Sequence, residues 1–561
     1  MRAIIKFWLV FSLFFIASAL ILTKLFYLQI KNGQYYEALA LGQQIVFEEA
    51  ESERGAIYSS DNKVLAQTFE RPVVYILPNK IEQKEEVSHV LAGIFEENPE
   101  DLLLKINENI VFKKEITEEQ FAKVKALNLA GVIVDTLLSR AYPFGDFASH
   151  ILGFVNQAGL GQYGVEGYYN EVIEGSVLFQ AKALAPDFLF SFLKDSLSSK
   201  KGPSSLVLTL DYNLQYFAEK LLKEAKEQWN FDKAQIIILN PTNGKILTMA
   251  LSPSFDPNNF FEVKEPNTFL NPAIQELFEP GSVFKPITMA AGIEEGLVTA
   301  KTEYEDTGKV ELGGPAIYNF GKRVWGKQTM TDVLEESINT GAVFVEQKLG
   351  KDKFLQYVTN FGFFELTSVD LAGEVSSKNE GLKKGYPRDF ASASFGQGIM
   401  MTSLQLMRAF SAIANGGKLV QPHIVEKIIY SDGEEKAIEP KLGGQVISRS
   451  TSVELTAMLV SVVMNGAGRK AAVPGYHLAG KTGTAQVPLK TGGYDPDKTI
   501  QSFIGYFPAE DPKFLVFIRL DNPKQANAAS SSAAPIFHEI AKYALDLYQI
   551  PPDFSTGLLD N

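Results

Sequence analysis

The spacing of apolar positions changes along the chain. At the N-terminus, an apolar run predicts a membrane anchor. A mostly apolar run without charge, Phe7–Thr23, follows Arg2 and Lys6. This length is at the short end of the range that spans a bilayer, and the preceding cations place the N-terminus inside. We expect residues 1–30 to form a cytoplasmic tip and a single transmembrane signal anchor. A cleaved signal peptide is the alternative, since Ala17-Ser18-Ala19 resembles a cleavage site, but the apolar run continues past it.

The segment after the anchor predicts an irregular α+β domain. Residues 82–125 are charged and largely helix-like in period, and turn-rich segments with aromatic residues follow them. A Ser-rich stretch over 198–205 then forms a flexible joint. No nucleophile and base stand close together in this part of the sequence. We therefore predict that residues 31–203 are a non-catalytic pedestal domain with its linker.

The pattern in residues 204–550 predicts a second α+β domain. A helix is expected near Asn213–Gln228, and two apolar runs around a Pro-Thr-Asn-Gly turn over 234–250 predict a hairpin. Long helical segments, further strand-like runs and a final helix near Ala534–Tyr548 follow. This order predicts one antiparallel sheet packed with helices. Residues 551–561 are left as a C-terminal tail.

Composition and charge narrow the possible functions. A chain of 561 residues is too long for one core, which suggests several domains. The net charge of −13 argues against nucleic acid as the main partner, because binding phosphates requires clustered Lys and Arg. The absence of cysteine excludes disulfides, thiolate catalysis and Cys-ligated zinc.

One short segment suggests a nucleotide site, but its context does not support it. Gly475–Thr482 spells the phosphate-loop pattern G-x-x-x-x-G-K-T. That loop needs a strand before it and a helix that begins at Lys-Thr. Pro474 precedes the segment, and Gly483 and Pro488 follow it, so a helix is not expected there.

The same segment can instead supply the last of three motifs, S-x-x-K, S-x-N and K-T-G. In this order they are typical of penicillin-recognising serine enzymes. Each motif is short and also occurs elsewhere in the chain. The other copies lie in turn-like or polar segments and begin at Ser60, Ser191, Ser198, Ser377 and Lys490.

The S-x-x-K copy at Ser282 has the context that a nucleophile needs. Pro280-Gly281 forms a break, and Ser282 begins a predicted helix that ends near Gly296. One helical turn brings Ser282 and Lys285 to the same face. The helix dipole favours an alkoxide there, and a lysine that loses its proton can act as the base. We predict Ser282 as the nucleophile and Lys285 as the base; a helix cap with a surface lysine is the alternative.

The other two motifs add polar groups to the predicted site. Ser337 and Asn339 mark a loop between predicted helices. The Ser337 hydroxyl can relay protons, and the Asn339 amide can hydrogen-bond both the lysine and the substrate. Lys481, with the hydroxyls of Thr482 and Thr484, offers a cation and donors for a carboxylate.

Backbone groups of the third motif complete the predicted site. The small residues Gly480, Gly483 and Ala485 let a substrate backbone approach the strand closely. The backbone N–H groups of Ser282 and Thr484 are predicted to form the oxyanion hole. The second K-T-G copy at Lys490 is interpreted as a turn, because Gly-Gly and Asp-Pro follow it.

Over nearly its whole length the chain resembles the class B penicillin-binding proteins, which are membrane-anchored peptidoglycan transpeptidases. In the second half the resemblance is carried by "FEPGSVFKP", "ESINTG", "SFGQGIMMTSLQL", "YHLAGKTGTAQ" and "SFIGYFPAEDP". In the first half it is carried by "ERGAIYSSDNKVLA", "RAYPFGDFASHILGFV" and "GVEGYYNEVIEG". The phrase around Lys481 is more similar to the division (septal) branch than to the elongation branch.

The resemblance implies a fold and an activity. It implies a pedestal of the dimerisation type before a transpeptidase domain with a serine β-lactamase-like fold. Ser282 would attack the D-Ala-D-Ala carbonyl of one stem peptide and release D-Ala, with Ser337 as a proton route. An amine of a neighbouring stem peptide would then form the cross-link, and β-lactams would trap Ser282. No metal or cofactor is implied, and the loop at Gln397 is expected to border the site.

The resemblance also implies a location and partners. The catalytic domain would lie on the extracytoplasmic face of the cytoplasmic membrane. A SEDS-family glycosyltransferase and other membrane proteins of the divisome would be its partners. No task is assigned to the Phe-rich residues 184–197.

Two alternatives use the same site residues. A D,D-carboxypeptidase or a β-lactamase would use water in place of the amine. A non-enzymatic β-lactam sensor would be acylated on Ser282 without turnover. The site residues do not decide which acceptor is used.

Overall fold

The computed structural model describes residues 18, 47–49, 54–156, 158–174, 179–181, 202–313, 315–489 and 493–554. The predicted anchor, apart from residue 18, lies outside these residues, as do residues 184–197 and the second K-T-G copy. Among the described residues, no helix is both long and apolar enough to cross a membrane.

The chain divides into two compact units. One comprises Met1–Glu53 and Glu174–Pro203, and the other comprises Arg54–Ile173 and Ser204–Asn561. In the first unit the described strands Phe47–Glu49 and Phe179–Ala181 pair antiparallel. The remaining elements described below belong to the second unit, apart from Glu174 at the end of the helix Asn170–Glu174.

A five-stranded antiparallel sheet forms the centre of the second half, as predicted. We call it the central sheet, and its strand order is Ile246–Ser252, Lys233–Leu239, Phe514–Asp521, Tyr494–Phe507, Ala479–Pro488. The strand Ala479–Pro488, which carries the K-T-G motif, lies at one edge of this sheet. We call it the edge strand.

Helices cover both faces of the central sheet, which explains why most positions of its inner strands are apolar. Ile236 and Ile238 pack in one core cluster with the helices Tyr212–Trp229 and Ala533–Leu547. The intervening Ile237 packs in the other cluster, because successive side chains of a strand point to opposite faces. The expected helices near Asn213–Gln228 and Ala534–Tyr548 are therefore confirmed.

The second cluster contains the helices that surround the predicted site. Several begin at a residue whose side chain caps the helix. Thr329 and Thr402, for example, each form a capping box with the residue three positions later. The helices between the strands are Pro272–Gln275, Lys285–Glu294, Met330–Glu335, Asn339–Leu349, Lys351–Asn360, Glu380–Lys383, Pro387–Ala393, Ser403–Ala414 and Arg449–Met464.

Short elements connect these helices. The 3-10 turns are Pro257–Glu262, Pro266–Phe269, Gly281–Phe284, Phe320–Lys322, Arg469–Ala471 and Ala529–Ser531. Three two-stranded pairs are Glu303–Asp306 with Gly326–Thr329, Lys309–Val310 with Ile317–Tyr318, and Lys418–Val420 with Leu442–Gln445.

The first half is an α+β region in which a strand interrupts the predicted helical segment. Its helices are Lys84–Phe95, Pro99–Asn107, Glu118–Leu127, Ser149–Leu152, Gly164–Tyr168 and Asn170–Glu174, with a 3-10 turn at Pro78–Lys80. Its strands are Ile57–Tyr58, Val64–Ile76, Phe112–Glu115, Val132–Ala141, Phe154–Val155 and Gly161–Gln162. The three longer helices pack a small core of their own against Val74 and Ile76.

One sheet contains strands of both halves, and we call it the shared sheet. Ser205–Leu208 pairs parallel with Ile57–Tyr58 on one side and antiparallel with Val425–Ile429 on the other. Val64–Ile76 and Glu435–Ala437 continue the sheet outwards in the two directions. The boundary predicted between residues 203 and 204 thus falls just before a strand that pairs with both halves.

Candidate active site

The S-x-x-K motif forms the turn and helix that the sequence predicts. Gly281–Phe284 is a 3-10 turn, and Lys285–Glu294 continues it as an α-helix. Lys285 Nζ donates a hydrogen bond to Ser282 Oγ over 3.1 Å. Ser282 is half-buried, whereas Lys285 is only 1% exposed. The turn therefore leaves the hydroxyl accessible and holds the amine away from water.

Ser337 of the S-x-N motif lies between the two lysines of the site. It occupies the connection between the helices Met330–Glu335 and Asn339–Leu349, with a φ of +58°. A non-glycine residue in this left-handed region is uncommon and is typical of functional sites. Ser337 Oγ is 3.2 Å from Lys285 Nζ and 3.0 Å from Lys481 Nζ. The hydroxyl can therefore pass a proton between the two amines.

The edge strand brings the K-T-G motif to the same place. Lys481 is fully buried, and its Nζ also donates to the carbonyl of Thr482 over 3.1 Å. A Cβ on Gly483 would lie 2.5 Å from Ser502 Oγ and 2.9 Å from Val283 Cγ1. Glycine is therefore needed where the edge strand packs on the turn that carries Ser282.

Both lysines have depressed pKa values. Burial lowers the pKa of Lys285 well below its usual value, and the positive charge of Lys481 lowers it further. Burial lowers the pKa of Lys481 to about 7, although the nearby carboxylate of Glu336 opposes this effect. A neutral Lys285 beside Ser282 has the protonation state that a general base requires.

The structure places the other predicted residues near this centre without assigning their roles. The Asn339 amide donates to the Tyr318 carbonyl over 2.9 Å, so hydrogen bonding to Lys285 stays a prediction. The Thr484 hydroxyl accepts a hydrogen bond from the Ala529 N–H over 3.3 Å. The oxyanion hole at the N–H groups of Ser282 and Thr484 also stays a prediction.

The loop at Gln397 contacts the turn that carries Ser282, as expected. Gly281 N donates to the Gly396 carbonyl over 3.0 Å. Gly396 has a φ of +83°, and a Cβ there would lie 2.1 Å from the Gly281 carbonyl oxygen. The glycine is thus needed both for its backbone conformation and for the close approach.

Sequence reasoning missed a buried network behind Ser337 and Asn339. The Asp306 carboxylate accepts hydrogen bonds from Gly308 N, Trp325 N and the Asn319 amide. It also accepts one from the Thr340 hydroxyl over 2.6 Å, and Thr340 directly follows Asn339. Asp306 is 1% exposed. The network holds the start of the helix Asn339–Leu349 in place. In the sequence, only the turn signal Asp-Thr-Gly at residues 306–308 could have indicated this network.

One group among the described residues has ligand atoms spaced closely enough for a metal ion. It consists of His477, Glu510 and Asp553, and His477 Nδ1 lies 2.9 Å from Glu510 Oε1. The two carboxylates are exposed. None of the predicted site residues belongs to this group.

Two family models match the chain. Residues 234–542 match the penicillin-binding protein transpeptidase domain, and residues 49–180 match the penicillin-binding protein dimerisation domain. The first match contains Ser282, Lys285, Ser337 and Lys481.

Individual proteins match over most of their length. Stage V sporulation protein D of Bacillus subtilis is 34% identical, over 97% of this chain and 86% of that protein. A protein named as a peptidoglycan D,D-transpeptidase FtsI homolog, from Mesostigma viride, is 28% identical, over 98% of this chain and 96% of that protein.

A solved structure shares the fold. Penicillin-binding protein 3 of Mycobacterium tuberculosis, in complex with aztreonam, is 26% identical with a TM-score of 0.71. The match covers 90% of this chain and 98% of that one. A dimerisation domain thus precedes a transpeptidase domain, and buried lysines surround Ser282. The chain belongs to the penicillin-binding protein transpeptidase family, as a class B member.

Proposed function

We propose that this chain is a peptidoglycan D,D-transpeptidase that cross-links stem peptides through an acyl-enzyme on Ser282. The observation that carries the proposal is the contact between a buried Lys285 with a lowered pKa and the accessible Ser282 hydroxyl. That contact provides an activated serine without histidine or metal. The names of relatives and the β-lactam complexes of similar proteins support the same reaction class.

Acylation uses the geometry of the buried lysines. Ser282 Oγ attacks the carbonyl of the penultimate D-Ala, and its proton passes to Lys285. The C–N bond breaks, and D-Ala leaves with a proton that reaches its nitrogen through Ser337. Lys481 and the hydroxyls of Thr482 and Thr484 hold the terminal carboxylate.

Deacylation by an amine completes the reaction. The amine nitrogen of a second stem peptide attacks the acyl carbon, the bond to Ser282 Oγ breaks, and the proton of the amine returns to Oγ. The N–H groups of Ser282 and Thr484 stabilise the oxyanion in both steps. A β-lactam follows the first step only, because its leaving group stays attached to the acyl-enzyme.

The setting of this activity is part of the same proposal. Residues 1–30 anchor the chain as a single span, with the catalytic domain on the extracytoplasmic face. The reaction serves septal wall synthesis during division, with a SEDS-family glycosyltransferase and divisome membrane proteins as partners. The Lys481 phrase and the FtsI names of relatives support the septal role. A fluorescent fusion that avoids the division site in growing cells would contradict it.

Labelling with a fluorescent penicillin tests the nucleophile. Ser282→Ala should abolish labelling, whereas Ser60→Ala, which alters an exposed S-x-x-K copy, should label like the unchanged protein. Equal labelling of Ser282→Ala and Ser60→Ala would exclude Ser282.

A second assay separates transfer from its alternatives. The protein is incubated with a D-Ala-D-Ala donor peptide and a stem-peptide amine acceptor, and a cross-linked product is expected. Acid release without cross-linked product would favour the carboxypeptidase. A stable penicilloyl adduct with no turnover of the donor peptide would favour the sensor.

A further inference from the structure

A cavity of about 320 Å³ lies next to the turn that carries Ser282. Its wall includes Phe278 and Glu279, just before the turn, and Met400, which follows the Gln397 loop. Val487 and Pro488 of the edge strand line it as well. Val487 is about 10 Å along the strand from Thr484, given a rise of about 3.3 Å per residue. The cavity, which we call the Glu279 cavity, therefore lies at the far end of the edge strand, beyond the residues proposed to hold the donor carboxylate.

Glu279 is a buried carboxylate whose known partners are uncharged. It is 7% exposed and accepts a hydrogen bond from the Tyr494 hydroxyl over 3.0 Å. The backbone N–H of Gly398 is its other donor. Within the described part of the chain, no ion pair involves this carboxylate. Lys498 also lines the cavity. Burial without a paired cation disfavours the charged form of the Glu279 carboxylate.

The other carboxylates that line the same cavity have cationic partners. Arg519 pairs with Glu276 over 2.6 Å and with Asp521 over 2.7 Å. Lys233 provides a second cation for Glu276. Among the carboxylates that line the cavity, Glu279, three residues before Ser282, is thus the one without a described ion pair.

A cationic ligand would stabilise this arrangement. A carboxylate can accept about four hydrogen bonds, and neutral donors supply two of those described here. Burial raises the pKa of Glu279, which reflects the cost of an uncompensated charge. Phe278, Met400 and Ile500 line the cavity with apolar surface, and a low local dielectric strengthens attraction to a cation.

We propose that Glu279 binds the ammonium group of the acceptor stem peptide before it reacts with the acyl-enzyme. The proposal rests on the transpeptidase function, which requires a primary amine as the second substrate. A primary aliphatic amine is cationic at neutral pH. The bound ammonium gives one proton to the Glu279 carboxylate, and its neutral nitrogen then attacks the acyl carbon. Glu279 later releases that proton to water. The cavity lies beside the nucleophile turn and at the end of the edge strand, where this second substrate can approach an occupied Ser282.

Competition between two nucleophiles tests the role of the charge. The acyl-enzyme forms from a D-Ala-D-Ala donor whose own amines are blocked. Lysine-containing stem peptide, which is cationic, and hydroxylamine, which is largely uncharged at neutral pH, then compete for it. In Glu279→Gln we expect the ratio of peptide transfer to hydroxylamine transfer to fall about tenfold. Glu262→Gln, which removes an exposed carboxylate outside the cavity, should keep the ratio of the unchanged protein.

Further outcomes make the test decisive. An unchanged ratio in Glu279→Gln, or an equal loss with both nucleophiles, would overturn the proposal. Penicillin labelling of Ser282 checks that the variant is folded. If Glu279→Gln does not fold, Glu279→Asp replaces it in the test, because it keeps the carboxyl group on a side chain that is one methylene shorter. The ratio of peptide transfer to hydroxylamine transfer should then fall by a smaller factor. Failure of the transpeptidase function would look different, because the unchanged protein would then transfer to neither nucleophile.

Discussion

Two lysines and a serine hydroxyl lie within hydrogen-bond distance in a region that water hardly reaches. Lys285 and Lys481 are both almost completely buried, and each contacts Ser337 Oγ. Two protonated amines at this separation would repel each other in a low dielectric. The site therefore favours the loss of one proton. The charge of Lys481 lowers the pKa of Lys285, which favours that loss at the lysine beside Ser282.

Replacing the base by a permanent cation should stop acylation. In Lys285→Arg the guanidinium remains protonated and cannot accept the proton of Ser282. General-base catalysis contributes about 10²–10⁴-fold, so the acylation rate with penicillin should fall by that factor. Stopped-flow or gel-based labelling measures the rate, with the exposed Lys470→Arg as control. A loss of less than tenfold would argue against Lys285 as the base.

The lowered pKa of Lys481 should also make the free energy of unfolding depend on pH. Between about pH 7 and pH 10 the unfolded chain holds a proton on Lys481 that the folded chain lacks. Stability therefore rises with pH by up to about 1.4 kcal/mol per unit from this residue, and the gain is lost as pH falls to about 7. Lys481→Met should remove this part of the slope.

Urea unfolding at several pH values measures the slope. The exposed Lys301→Met serves as the control and should keep the slope of the unchanged protein. Lys285 contributes with the same sign, so a smaller positive slope should remain in Lys481→Met. An identical slope in all three proteins would mean that Lys481 keeps its proton in the folded state.

The site residues differ in how far the sequence could predict them. Ser282, Lys285, Ser337 and Lys481 were identified because each lies in a short motif with a suitable local context. The direction of the Asn339 amide and the partners of Glu279 could not be predicted this way. Tyr494 is far from Glu279 in the chain, and only the folded sheet brings its hydroxyl to the carboxylate.

Among the elements of the site, the Gln397 loop and the Ser282 turn make a close backbone contact. Gly396 and Gly398 both have positive φ values, +83° and +71°. A Cβ on Gly396 would collide with the Gly281 carbonyl, whereas a Cβ on Gly398 would have no atom within 4 Å. A side chain at Gly398 would therefore introduce backbone strain alone, whereas one at Gly396 would introduce both backbone strain and steric overlap.

Alanine at these positions should have unequal effects. Gly398→Ala should cost about 1 kcal/mol of unfolding free energy, because it introduces only left-handed strain. Gly396→Ala should cost more and also slow acylation, because it displaces Gly281 and with it Ser282. Chemical unfolding and penicillin labelling measure the two effects. Equal effects in both variants would show that the overlap is relieved without moving the turn.

The elements around the site also show which contacts sequence patterns can predict and which they cannot. The central sheet and its first and last helices follow from the spacing of apolar residues and from turn residues, so they could be predicted. The Asp306 network could not, because it joins backbone N–H groups and side chains of several separate loops. Such contacts depend on tertiary structure and leave only a turn signal in the sequence.

For the molecule as a whole, the shared sheet joins the two halves of the second unit. The sequence predicted an α+β first half but not this sheet, because Ile57–Tyr58 is too short to show a strand pattern. Leu206 and Leu208 are fully buried within it. Removing the first half would therefore turn Ser205–Leu208 into an exposed edge strand.

Truncation tests this dependence. A chain consisting of residues 202–554 should unfold at a lower temperature than the longer chain and should aggregate, because its new edge is apolar. A control chain in which a short linker replaces residues 84–127 keeps Ile57–Tyr58 on Ser205–Leu208 and should remain soluble. Thermal unfolding with light scattering measures both properties. A stable, soluble 202–554 fragment would show that the shared sheet is dispensable.

The shared sheet also has a mechanical consequence. The strand Val425–Ile429 adjoins His423, whose carbonyl accepts a hydrogen bond from Ile246 at the start of a central-sheet strand. A force on the first half is thus transmitted through backbone hydrogen bonds in series, from one sheet into the other. A protein that binds the first half can therefore change the orientation of the second half without contacting it.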